Sequence, residues 1–406
     1  MNNFQNFRFS GVWPAKNTAP IILKILNPIF RVGNFTLFSL LFISVIGDIV
    51  ENYNDLTIVT NDMCFIFGTG MSFSKSCCYF VQYDQIMNLI NEIYSLLDVI
   101  QQSNDAGVQE LLTSTARQEN TTLKYFFSVL SLLALSRIMA GRKTETGLPL
   151  RAAYPFDTTE SPIHQIMYFY HSYCIECSVM TILGIDILGV SFVRWSTVLL
   201  KVLSSNYQKC DSTLYRKSLL TNTKSFNNLG VSSTDEHTGT KIKTFISFEA
   251  ERTNKNDNTL DCFTERFKLC IKQHQKLIEI TNNLCSTLSY CMLIQVVSST
   301  SMICMNGIQL ILHMNEGSYI VKFIAGLVVA FTQLFVWCWF GNELIFTADS
   351  LTESLWLCGW ENALSSNIKN SLTISMAQTL RPIELNAIGL FQFTMPTFLE
   401  VNKKIY

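Results

Sequence analysis

The chain has 406 residues, of which 48% are apolar, 12% aromatic and only 15% charged, and its mean hydropathy is +0.24. Thirty Lys and Arg against thirty-one Asp and Glu leave a formal charge of −1, which excludes a basic nucleic-acid binder and an acidic solvating tail. Soluble domains carry roughly a quarter charged residues; here the shortfall runs the whole length, so the composition is that of an all-α membrane protein.

A bilayer core of about 30 Å needs about 20 apolar residues in a helix. In chain order, stretches that meet this fall at 32–50, 58–81, 123–141, 174–200, 286–313, 319–346 and 383–406. That predicts a seven-transmembrane helix bundle. The second stretch is diluted by Asn61, Asp62 and Lys75 and the seventh by several polar residues, so six spans is the alternative. The polar start, interrupted by Pro14, Pro20 and Pro28, is not a cleaved leader, and the first span is expected to serve as the signal.

Lys and Arg alternate between the connections, and this sets orientation. Arg8, Lys16, Lys24 and Arg31 precede the first span with no acid among them. The connections between spans 1 and 2 and between 5 and 6 carry none, whereas thirteen lie from Lys201 to Lys276. The N-terminus is therefore expected in the cytoplasm and the C-terminus outside. Receptors that couple to G proteins have the opposite topology, and the chain also lacks an acid–arginine pair after span 3 and an Asn-Pro-x-x-Tyr in span 7.

Outside the spans, Ile86, Leu89, Ile90, Ile93, Leu96, Leu97 and Ile100 recur at helical spacing, so the helices of spans 2 and 3 are expected to run on into the cytosol. Residues 204–258 are rich in Ser, Thr, Asn and Lys and read as mobile loop. A helix resumes at Leu260, and Leu351, Leu355, Trp356, Trp360, Leu364, Ile368 and Leu372 form a second stripe. Stripes of this length need another helix or another subunit to cover them.

Catalytic patterns are missing. There is no His-Glu-x-x-His, no phosphate-cradling glycine loop and no Gly-x-Ser-x-Gly, so no enzyme and no cofactor are expected. His274 reads as a surface histidine on a cytoplasmic helix, and His164 and His171 as surface residues of an outer loop. The thirteen cysteines sit mostly in apolar runs, as small hydrophobes. Cys174 and Cys177 have zinc-like spacing but no second pair, so no metal site is expected. Asp48, Glu176 and Asp186 lie within spans, where an acid is a functional suspect by default; Asp186 is expected to pair with a nearby Arg or Tyr, for helix–helix bonding or for ion conduction.

Span 7 carries Thr397, Glu400 and Lys404 at i, i+3 and i+7, on one helical face. Ionised groups in a span are costly unless they meet water or a partner, so this face is the candidate pore lining, with terminal lysines that merely reach the outer surface as the alternative.

The last eighty residues add a resemblance. Phe331-Thr332-Gln333-Leu334-Phe335-Val336-Trp337-Cys338 is followed by Gly341-Asn342-Glu343-Leu344, then Trp360, Lys369, Leu372, Arg381-Pro382, Ala387, Gly389, Phe391 and Thr397-Phe398. With Gly11-Val12-Trp13-Pro14 near the start and Tyr154-Pro155-Phe156-Asp157 before span 4, this order resembles the insect odorant receptors. The resemblance implies a ligand-tuned subunit at the plasma membrane of a sensory neuron. It binds small volatile odorants and joins an olfactory co-receptor in a heterotetrameric cation channel, with the seventh span in the pore and cytoplasmic helix ends as the anchor. The chain then divides into a cytoplasmic N-terminal segment (1–31), spans 1 to 4 (32–200), a long cytoplasmic loop and helix (201–285), spans 5 and 6 (286–346), a helical anchor region (347–382) and span 7 (383–406).

Members of that family usually continue past this point with a Ser/Tyr-rich run holding the gate, so span 7 is expected to be incomplete at Tyr406. An odorant needs an enclosed, mostly apolar cavity, which by analogy with the family is walled by spans 2, 3, 4 and 6. Depth along those spans places Phe67, Met71, Leu135, Ile138, Tyr173, Cys177, Met180 and Phe323 in it. The alternatives are a gustatory receptor of the same superfamily, disfavoured by the closing residues Pro396-Thr397-Phe398-Leu399, and a secondary transporter, which would show inverted repeats and broken helices.

Overall fold

The computed structural model describes residues 21–141, 147–211, 242, 244–248, 263–313, 317–362, 366–381 and 383–405. The Gly11-Val12-Trp13-Pro14 element, Cys262, Leu364 and Tyr406 lie outside the described residues, as does the side chain of Lys404. In chain order the helices are α1 (Ile21–Glu51), α2 (Leu56–Val81), α3 (Tyr83–Gln101), α4 (Ala106–Gly141), α5 (Ile163–Gln208), α6 (Phe263–Leu312), α7 (Gly317–Trp356), α8 (Ser366–Thr379) and α9 (Met395–Ile405). A hairpin of β1 (Asn386–Ala387) and β2 (Phe391–Gln392) precedes α9. Val32–Glu51, α5, α6 and Phe323–Trp356 are long and apolar enough to cross a membrane. The 46 and 50 residues of α5 and α6 measure about 69 and 75 Å at 1.5 Å per residue, far more than a bilayer core, so their ends stand well clear of it.

Two aspartates set helix starts. Asp55 accepts from the backbone amides of Thr57 (2.9 Å) and Ile58 (3.3 Å) at the start of α2. Asp105 does the same for Gly107 (2.9 Å) and Val108 (3.3 Å) at the start of α4. Each satisfies amide donors that a first helical turn leaves open.

The apolar stripe 86–100 is buried in full on α3. It belongs, however, to a separate helix: α2 stops at Val81, and Gln82, with φ −100° and ψ 13°, forms the break. The region read as mobile loop also departs from expectation. α5 runs on to Gln208, and residues 244–248 are bound in place. The second oxygen of Asp105 accepts from the Thr244 hydroxyl at 2.8 Å. Asn206 donates to the Ile246 carbonyl (2.7 Å) and accepts from its amide (2.9 Å), while Ile246 and Phe248 are buried.

Neither His171 nor His274 is a surface residue. Both are buried, because α5 begins at Ile163, ahead of the expected outer loop's histidines, and because α6 packs its His274 face inward. The Tyr207 hydroxyl lies 3.3 Å from His274 Nδ1. Burial pushes the His274 imidazole down to about 4.

Segment 383–406 is not one continuous helix. Ile388 (φ 51°) and Gly389 (φ 72°) turn the chain in the left-handed region, and the Ile388 amide donates to Ser289 Oγ of α6 at 2.8 Å. The hairpin lies hard against α7 at Gly341, where an added Cβ would stand 2.3 Å from the Phe393 carbonyl oxygen.

Two outcomes follow from this packing. Gly341→Ala should lower stability by roughly 1–3 kcal/mol, the usual cost of overpacking, read as a drop in the thermal unfolding midpoint of the detergent-purified protein. His274, with a folded pKa below its unfolded value near 6.5, contributes stability that is fully present above pH 6.5. That contribution is lost as pH falls toward 4, on the order of 3 kcal/mol in all. In His274→Gln, unfolding scans between pH 7 and 4.5 should show a flatter decline than in the parent.

Candidate ligand cavity and pore helix

Within the bundle, α2, α4, α5, α6 and α7 enclose an apolar cavity of about 80 Å³. Its walls include Phe65, Met71, Ala134, Ile175, Val179 and Met302. Ligand pockets for drug-sized molecules run to several hundred Å³; this one is smaller, but Met71 and Met302 in its wall have unbranched side chains that turn readily. Three polar side chains break the apolar wall: Thr69, whose hydroxyl donates to the Phe65 carbonyl at 2.8 Å, Ser178, whose hydroxyl has no hydrogen-bond partner, and Gln333.

Gln333 is the end of a buried polar chain. Lys75 of α2, 1% exposed, donates both to Asp186 of α5 and to Gln295 of α6. The Gln295 amide donates to Ser299 Oγ at 2.6 Å and, more weakly, to the Gln333 side-chain oxygen at 3.5 Å. The expected Arg or Tyr partner for Asp186 is thus a lysine from another helix, 111 residues earlier. At the far end of the bundle, Gln309 of α6 donates to the Thr57 carbonyl at 2.7 Å, so α2 and α6 are tied twice.

Of the eight residues expected at the cavity, Met71 lines it. Phe67 packs on the small cluster of Met302, Ile303 and Ala330. Ile138 and Met180 pack against the main core, and Cys177 is half-buried on α5. Leu135 is 56% exposed. Tyr173 donates its hydroxyl to Asn34 Oδ1 of α1 at 2.6 Å, which holds α1 to α5 rather than facing a guest. Phe323 is buried beside His313, with ring centroids 5.6 Å apart.

The displacement on α5 is a matter of phase. Tyr173, Cys177 and Met180 make one stripe, and Ile175, Val179 and Ile182 make another, two residues on. Two residues are 200° around a helix, so the expected stripe faces away from the cavity. Because α5 is apolar and buried nearly all round, periodicity gave no phase to choose by. The buried hydroxyl of Ser178 and the amide of Gln333 were the available signals.

On α9, Thr394 caps the helix: its hydroxyl lies 2.7 Å from that of Thr397 and accepts from the Thr397 amide at 3.3 Å. Phe398 is buried against Phe335 (5.7 Å), whereas Leu399, Glu400 and Lys403 are exposed. One face of α9 is seated on α7 and the other is bare.

Long apolar helices around an apolar cavity, with a lysine–aspartate pair in their midst, define a helical membrane protein. A family profile described as "7tm Odorant receptor" matches residues 55–406. The odorant receptor coreceptor of Anopheles gambiae is 20% identical over an alignment of 446 residues, which takes in 95% of this chain and 90% of that protein. Odorant receptor 13a of Drosophila melanogaster is 25% identical over 149 residues, 34% of this chain and 35% of the relative. The solved structure of the insect olfactory receptor OR5 from Machilis hrabei superposes with a TM-score of 0.71 at 13% identity, covering 100% of this chain and 94% of that one. The same receptor in complex with eugenol matches with a TM-score of 0.71. The chain belongs to the insect odorant receptor family. It is a receptor and not an enzyme, and the gustatory and transporter alternatives are set aside.

The buried pair makes a sharp energetic statement. Removing one partner of a buried pair strands a charge and costs roughly 3–5 kcal/mol, whereas replacing both with apolar groups is near neutral. Lys75→Met and Asp186→Leu should each lower the unfolding midpoint markedly, and the double variant should recover most of the loss.

Proposed function

We propose that this chain is a ligand-tuned odorant receptor subunit that opens a cation pore in the plasma membrane, together with an olfactory co-receptor, when a small volatile molecule occupies the cavity between α2, α4, α5, α6 and α7. The observation that carries the reading is the apolar cavity in which Thr69, Ser178 and Gln333 supply the few polar groups. It suits a guest that is mostly hydrocarbon with one or two oxygens. Family membership and the eugenol complex of OR5 support it.

In this reading the chain crosses the bilayer seven times with its N-terminus in the cytoplasm. The cytoplasmic ends of α5 to α8 meet the other subunits of a heterotetramer, and the receptor resides in the sensory dendrite. Thr397, Glu400 and Lys404 of α9 line the pore; the bare face of α9, with Glu400 exposed, supports this. Met71 contacts the guest directly. Phe67 supports the wall through its packing on Met302, whereas Leu135, Ile138, Tyr173, Cys177, Met180 and Phe323 lie outside the lining. Occupancy shifts a closed–open equilibrium to the extent that the guest binds the open state better.

Voltage-clamp recording from oocytes over a panel of small volatile compounds tests this. Odorant-evoked cation current is expected when the chain is expressed with a co-receptor. Met71→Ala and Gln333→Ala should each move the half-maximal dose about tenfold or more, as loss of one well-placed contact does, while Glu400→Lys should change cation permeability at unchanged dose. Evoked current with none of these shifts would remove the cavity and the pore face from the proposal.

A further inference from the structure

A second and larger cavity, of about 660 Å³, lies between α4, α5 and α7. We propose that it holds the phosphate headgroup of an anionic phospholipid, gripped by Arg194 and Arg117.

Arg194 of α5 forms part of its wall and is 95% buried, at 5% relative exposure. Its Nη2 donates to the Thr115 carbonyl (3.2 Å) and to Gln118 Oε1 (3.0 Å) of α4, and the guanidinium sits 5.1 Å from the centroid of the Phe340 ring. Nη1 has no hydrogen-bond partner. Among the described residues no carboxylate forms an ion pair with Arg194. Glu119 and Glu343 are near enough to act on it electrostatically, but Glu119 accepts from Ser191 and Glu343 is paired with Lys201 at 2.9 Å. A buried guanidinium without a bonded anion is costly, and the planar fork of Arg suits a phosphate. Arg117, exposed on the same cavity, supplies a second cation.

The wall on α7 is mixed and open to the side: Asn342 and Glu343, the latter paired with Lys201, stand among aromatic rings. Trp339 and Phe346 line the cavity and are 52% and 70% exposed. The level is that of a membrane boundary. On α4 the polar run 113–122 gives way to apolar residues from Leu123, and on α7 the apolar run is interrupted by Asn342 and Glu343 shortly before it ends at Phe346. A site with a cation inside, aromatic rings at its rim and hydrocarbon alongside matches an amphiphile with an anionic head and acyl chains. Basic pockets between membrane helices recognise lipids in this way. With the orientation proposed above, this boundary is the cytoplasmic one; the site itself does not depend on that orientation.

Native mass spectrometry of the full chain, delipidated in detergent and titrated with dioleoyl-phosphatidylglycerol, tests the proposal. The lipid should be retained at a concentration at least fivefold lower than dioleoyl-phosphatidylcholine. Arg194→Gln should abolish that preference and Arg194→Lys should restore most of it. Should Arg194→Gln fail to fold, Arg117→Gln at an exposed position should still weaken retention severalfold. Equal retention of the two lipids, or no effect of Arg117→Gln alongside a folded Arg194→Gln that still prefers phosphatidylglycerol, overturns it. Inorganic phosphate competing as well as the lipid would mark a free-anion site and overturns it too.

Discussion

Lys75 cannot sit in the middle of this bundle alone. Its ammonium group is almost wholly removed from water, and a stranded charge there costs more than most domains can spare. The cost is met by three helices at once. Asp186 on α5 supplies the countercharge, Gln295 on α6 supplies its side-chain oxygen as an acceptor, and Ser299 and Gln333 accept from the amide nitrogen of that glutamine. Shifting any of these helices by one turn would strand several groups together. The ion pair therefore fixes the register of α2, α5 and α6, and through Gln333 it reaches α7 and the wall of the cavity. A guest that moves Gln333 acts on a chain of bonds already shared by four helices.

Close packing does for α5, α7 and the terminal segment what the ion pair does for the centre. At Gly189 an added Cβ would stand 2.4 Å from the ring of Trp337, and at Gly341 it would meet the Phe393 carbonyl oxygen. Both glycines let a neighbour approach more closely than any other residue allows. The hairpin seated at Gly341 leads straight into α9, so the position of the proposed pore helix is set by contacts with α7 rather than by lipid.

The features legible in the sequence were those in which one physical signal dominates. The stripe on α3 could be read residue by residue because polar positions separate its apolar ones. The apolar lengths of α1, α5, α6 and α7 were plain for the same reason. Phase on α5 was not legible, since a helix apolar on every side has no preferred face. The hairpin before α9 was hidden as well: its turn, Ile388-Gly389, sits between apolar residues that also suit a span, and the hydrogen bond from Ile388 to Ser289 that fixes it comes from 99 residues away. The partner of Asp186 was hidden by the same kind of distance. Lys75 dilutes the apolar character of its span, and an uncompensated lysine among apolar residues asks for an acid, but the sequence does not say which one.

The two cavities share α5 and α7. Gln333 and Glu343 are ten residues apart on α7, about 15 Å along its axis, and Ser178 and Arg194 are sixteen apart on α5, about 24 Å. The smaller cavity is apolar with its polar contacts drawn inward to the Lys75 chain; the larger has a buried cation and opens toward the bilayer boundary. Each is bounded by the same pair of helices held together at Gly189 and Trp337, which lie between Ser178 and Arg194 on α5 and between Gln333 and Glu343 on α7. A displacement of α7 against α5 that enlarges one cavity must work through that tight contact, which has no slack to absorb it. On the two proposals made above, odorant in the small cavity and phospholipid in the large one would depend on the same relative position of two helices, and occupancy of either would bias the position available to α9, which is seated on α7.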